Sequence, residues 1–236
     1  MPMRRHARIS TVAATALAVV ATAEIALFAI LTGADAQEWR TLIDGNVLTT
    51  AAIAVPFAAV GALVIRRDGR HVLGWIFVAL GQLAATATLA AVWADRGLAP
   101  HGLAVALAAY LWLPALLLAI ATLTIYYPDG RLPSARWKPV AVVAWSVVAA
   151  GAISQLFIAP GLETVDAAVR SPLTIEGFDP SLSLAVVVGL TLLAACCFLV
   201  GLARLIVRAV RSDREARAPL CWMIAAFSAM LIGGQL

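Results

Sequence analysis

Long apolar runs alternate with short polar segments along the whole chain, at about residues 9–32, 47–65, 72–93, 103–126, 139–158, 182–207 and 219–236. A helix rises about 1.5 Å per residue and a bilayer's hydrocarbon is about 30 Å thick, so each run can cross, the second and last only just. The pattern predicts an all-α integral membrane protein, a bundle of about seven transmembrane helices forming a single multi-span domain over residues 1–236.

Proline and glycine punctuate the runs. Tyr126 and Tyr127 close the fourth; Pro128, the Asp129-Gly130 dipeptide and Pro133 then predict a short turn, with no helix restarting before Pro139. Pro56 and Pro114 fall in mid-run, where the missing N–H predicts kinks and candidate hinges. The longest segment between runs, Ala159 to Ser181, carries Glu163, Asp166, Glu176 and Asp179 against Arg170. It is too short for a folded sensory domain and is the simplest place for an extracytoplasmic contact.

Composition agrees with the pattern: 63% of residues are hydrophobic and 13% charged, too apolar for a water-soluble core. The net charge of +4 is spread between the runs instead of gathered in one patch, which speaks for membrane topology and against nucleic acid. With the N-terminus cytoplasmic, Arg4, Arg5, Arg8, Arg66, Arg67, Arg70, Arg131, Arg136, Lys138, Arg204, Arg208, Arg211, Arg214 and Arg217 are all inside, and only Arg40, Arg96 and Arg170 outside. That asymmetry predicts a multi-pass protein of the cell membrane. The first run follows Arg4-Arg5-His6-Ala7-Arg8 like a secretory signal, but it exceeds the roughly 7–15 apolar residues of one, so a retained anchor is expected. Placed this way, the last run crosses outward and ends near the outer face.

The polar loops carry a resemblance. PDGRLPSARWKPVA, from Pro128, resembles the intracellular loop in the membrane-spanning sensor region of actinobacterial-type two-component histidine kinases. RRDGRHVLGW, Arg66 to Trp75, is similar to that family's arginine-rich loop leading into a Gly-Trp helix start, and RAPLCWMIAA, Arg217 to Ala226, to its basic linker. The resemblance implies a signal-input module without its kinase half, reaching a response regulator only through that missing domain, and it is compatible with a homodimer. The alternative is a self-contained small transporter or membrane scaffold, for which paired mid-membrane charges or an internal repeat would be expected.

Candidate chemistry is sparse. Glu24 is the one acid well inside an apolar run, where it needs a partner or a proton; Gln82, at mid-depth of the third run, is the natural candidate. On the helix of Glu24 the stripe Ala14, Ala18, Thr22 and Ala26 predicts close packing on another side. Glu24, Gln82, Pro56 and Pro114 are the sensing or coupling candidates. Asp129, Arg131, Arg136 and Trp137 are the inner-loop interaction candidates, with anionic lipid headgroups or a partner domain as the contact. His6, His71 and His101 are scattered, and Cys196, Cys197 and Cys221 lie in or beside apolar runs, so neither a metal site nor a disulfide is expected. No nucleotide-binding or hydrolase motif occurs; no enzymatic activity and no cofactor are expected.

Overall fold

The computed structural model describes residues 2–33, 47–157 and 180–211, together with residue 221. The acidic segment after Ala159, up to Asp179, lies outside the described residues, as do Arg40, Arg214, Arg217 and all of the seventh apolar run but residue 221. The helices are α1 (Pro2–Thr32), α2 (Val47–Arg67), α3 (Val72–Asp95), α4 (His101–Tyr110), α5 (Trp112–Tyr126), α6 (Lys138–Phe157) and α7 (Pro180–Arg211). Among the described residues six spans are long and apolar enough to cross a membrane, with α4 and α5 sharing one, so the chain is an all-α multi-pass membrane protein.

Two three-helix groups meet on α3. In the first, α1, α2 and α3 approach through small residues: Ala51, Ala54, Ala58 and Gly61 of α2 are buried against α3, and Gly61 and the Gly81 of α3 come so close to the facing helix that an added Cβ on either would meet its backbone. Lipid is as apolar as leucine, so close backbone approach and dispersion hold such a seam in place of a hydrophobic driving force. The second group packs α5, α6 and α7 around Leu113, Leu117, Ala144, Val147, Ala194 and Phe198, and α3 joins it through Leu73, Ile76 and Leu80. Contacts with α1, α2, α4 and α5 surround α3, and no residue from Val72 to Ala94 is exposed.

The packing stripe of α1 departs from the expected one. Ala14, Ala21, Phe28 and Thr32 are buried, whereas Thr22 and Ala26 face outward. Repeated steps of four residues drift around a helix with 3.6 residues per turn, while alternating steps of three and four stay on one face. The prolines also behave differently from each other. Pro56 sits on the exposed side of a continuous α2. Pro114 lies just after the α4–α5 break at Leu111, as expected of a ring that clashes with the carbonyl four residues back, here Tyr110. After Tyr126 the helix restarts earlier than expected: a 3-10 turn over Ala135–Trp137 leads into α6 at Lys138, placing Pro139 in the first turn, where its missing N–H costs nothing.

Candidate functional site

Two polar constellations stand out, one within the bundle and one at its arginine-rich end. Inside, Glu24 of α1 accepts hydrogen bonds from Gln82 Nε2 at 2.8 Å and from Thr86 Oγ1 at 3.2 Å, both on α3. Gln82 Nε2 also lies 3.1 Å from Thr86 Oγ1, so the three side chains form a closed cluster. Sequence reasoning paired Glu24 with Gln82 but missed Thr86, although a residue four positions on shares the face of Gln82. Gln82 Oε1 is buried without a hydrogen-bond partner, which leaves one acceptor in reserve. Neither proline hinge candidate joins this cluster. On the other side of Thr86 a cleft of about 150 Å³ runs between α3 and α4, lined by Leu89, Trp93, Leu103 and Leu107.

Replacing Glu24 tests the cluster. Glu24→Gln keeps an acceptor and should melt within about 0.5 kcal/mol of the parent, whereas Glu24→Leu strands two donors and should cost about 0.5–2 kcal/mol, the range of hydrogen bonds between membrane helices. Thermal unfolding in detergent measures both. Equal melting of the leucine variant and the parent would mean that the carboxylate reaches for the interface instead of holding α3.

At the arginine-rich end, three segments far apart in sequence interlock. The α2–α3 loop and the α5–α6 loop each contain Asp-Gly-Arg, at Asp68-Gly69-Arg70 and Asp129-Gly130-Arg131. Asp68 accepts from the Arg70 backbone N–H at 3.0 Å and pairs with Arg131 at 3.3 Å. Gly130, at φ +65°, lies so close to the His71 ring that an added Cβ would stand 2.3 Å from it, and its carbonyl accepts from the Val72 N–H at 3.4 Å. From α7, Arg208 pairs with both oxygens of Asp129, and Arg204 donates to the carbonyls of Ile125 at 2.9 Å and Tyr127 at 3.4 Å. Those two carbonyls lie at the C-terminal end of α5, where the helix dipole favours a cation. The Arg204 guanidinium also lies 5.6 Å from the centre of the Trp137 ring.

The four inner-loop candidates therefore divide. Asp129, Arg131 and Trp137 are engaged within the protein, by Arg208, Asp68 and Arg204 respectively. Arg136 is exposed, with no ion pair among the described residues. Arg204 and Arg208 were read from sequence only as topological charge, and Asp68 was not singled out; the repeated Asp-Gly-Arg was the signal that could have marked the two loops as partners.

Both loop carboxyls are held below the ordinary carboxylate range, Asp129 chiefly by the hydrogen bond from Arg208 and Asp68 chiefly by the Arg70 N–H. Burial pushes the Tyr127 phenol up. A depressed native value means that the contacts contribute fully above the unfolded value, near pH 4, and are lost as pH falls through the native one. Hydrogen exchange of the 127–134 amides should therefore show unchanged protection between pH 7 and 5, after correction for intrinsic rates, and loosening only below about pH 4. Loosening at pH 6 would assign the loop's order to a different group.

The two constellations are joined by one element. His71, at the start of α3, and Gln82 are eleven residues apart, about 16 Å of continuous helix. Compared with protein families, curated proteins and solved structures, the chain matches none. The resemblance of its loops to sensor kinases thus rests on the loops' own residues.

Proposed function

We propose that this chain is a signal-input module of the cell membrane, resembling the sensor region of a histidine kinase. Its N-terminus and arginine-rich end face the cytoplasm, by the distribution of basic residues between the spans. The observation that carries the reading is the placement of α3. It bears Gln82 and Thr86, which hold Glu24, and at its start it carries the loop that interlocks with the α5–α6 loop and α7. A change at Glu24, whether a proton, a ligand or a shift of α1, moves a helix enclosed by its neighbours, and packed helices shift as units. The output surface is the interlocked loops, and the module works without catalysis of its own, passing its state to a kinase domain or partner.

A second reading, a small transporter, draws on Glu24 itself, because carboxylates inside membranes recur in proton relays. One experiment separates the two. On a background with Cys196, Cys197 and Cys221 replaced by alanine, spin labels at positions 70 and 136 report the spacing of the two loops in nanodiscs. The module requires Glu24→Leu to shift that distance distribution relative to Glu24→Gln; identical distributions in the parent and both variants would refute it. Proton uptake by proteoliposomes under a pH gradient, abolished in Glu24→Gln, would support the transporter.

A further inference from the structure

A groove of about 530 Å³ opens beside the interlocked loops, between the α5–α6 loop and the first three turns of α6. That volume is within the roughly 300–1,000 Å³ of small-molecule sites. Its floor descends α6 through Lys138, Val142, Trp145 and Ala149, and Tyr126 and Leu132 form the opposite wall. The spacing of three and four residues keeps the floor on one face for about 16 Å of helix. This face lies within an apolar span, and Val142 itself and the neighbouring Val143 and Ile153 are exposed, so it meets hydrocarbon.

The mouth has the opposite character. Lys138 lines its top, and Arg136, outside the lining itself, lies two residues before it on the 3-10 turn; both are exposed, and neither has an ion-pair partner among the described residues. Arg131, Arg204 and Arg208 are already engaged by the fold. Below the mouth, Trp145 Nε1 donates to the Tyr126 hydroxyl at 3.0 Å. An indole N–H can only donate, so Tyr126 accepts here and keeps its own hydrogen for a further acceptor.

We propose that this groove binds one anionic phospholipid, with its phosphate at Lys138 and Arg136, a headgroup or ester oxygen at the Tyr126 hydroxyl and one acyl chain along Val142, Trp145 and Ala149. Charge and depth together select the occupant. A free phosphate offers nothing for an apolar floor, and a zwitterionic lipid gives the two cations no net partner. An acidic soluble protein reaches the mouth but not the hydrocarbon depth of Trp145. The site stands whether the chain signals or transports.

Native mass spectrometry of the full chain, released from detergent with equimolar phosphatidylglycerol and phosphatidylcholine of identical chains, tests the assignment. The expected result is one retained phosphatidylglycerol per chain. Removing both cations in Arg136→Ala/Lys138→Ala should weaken that retention about thirtyfold, roughly fivefold per charge at a membrane surface. Lys138→Arg should retain the lipid and serves as the folded comparison, while Tyr126→Phe should weaken binding with an unchanged preference for the anion. Glycerol 3-phosphate should not compete. Equal retention of the two lipids, unchanged retention in the double variant, or displacement by glycerol 3-phosphate would each overturn the proposal.

Discussion

Gly81→Val should be the most damaging single substitution in the first helix group. A Cβ at position 81 would lie 2.5 Å from the Ala58 nitrogen and 2.6 Å from the Ala54 carbonyl oxygen, so the obstacle is the backbone of α2 and no rotamer change relieves it. Overpacking typically costs about 1–3 kcal/mol, and a backbone clash belongs at or above the top of that range. Separating α2 from α3 also moves Gln82 and Thr86, neighbours of the seam, away from Glu24. The expected outcome is a fall of about 3 kcal/mol or more in stability and a loss of monodisperse protein in detergent. Gly102→Ala and Gly189→Ala are the controls, because an added Cβ at either meets nothing within 4 Å. Both should be neutral or stabilising by up to about 1 kcal/mol, the helix propensity difference between glycine and alanine. A Gly81→Val protein that melts with the parent would mean that α2 and α3 do not meet along this seam.

Arg204→Leu should be the second. The guanidinium caps two carbonyls at the end of α5 and covers Trp137, and leucine replaces none of this. Hydrogen bonds from a charged donor contribute about 1.5–3 kcal/mol, and a carbonyl left without a partner at the edge of the hydrocarbon keeps its desolvation cost. The local expectation is sharper than the global one: amide exchange should accelerate at residues 127–134, and at Val72, whose N–H donates to the Gly130 carbonyl, while α1 and α2 keep their protection. Arg204→Lys should fall in between, since an ammonium group lacks the planar fork that spans two carbonyls. Asp129→Asn is the weaker companion. Its ion pair with Arg208 is largely exposed, and such pairs contribute about 1 kcal/mol or less. Uniform loss of protection throughout the chain in Arg204→Leu would make the residue a global packing element and not a cap of one loop.

The extents of the first six spans were legible in the sequence, because a run of apolar residues must be helical wherever lipid offers the backbone no hydrogen bonds. The starts of α2 and α3 at Val47 and Val72 coincide with those of the runs, and the end of α5 at Tyr126 with the tyrosine pair before Pro128. The break near Pro114 followed from the lost N–H. So did the need of Glu24 for a partner, since a carboxyl inside an apolar run cannot stay unpaired without cost.

Which helices touch was not legible, and here the tertiary structure decided. Lipid-facing and helix-facing positions are both apolar, so the pattern that marks a buried face in a soluble protein vanishes; only small residues hint at contact, and of the stripe expected on α1 Ala14 and Ala18 pack inward while Thr22 and Ala26 are exposed. The same limit applies to the loops. Arginines that sequence treats alike, as charges kept on one side of a membrane, become a helix cap at Arg204, ion-pair partners at Arg131 and Arg208, and an open cation at Arg136. Orientation depends on charge summed over a segment, which a sequence displays, whereas each side chain's role depends on which oxygen lies within about 3 Å of it. For residues as far apart as Asp129 and Arg208, that distance exists only once α5 and α7 have packed.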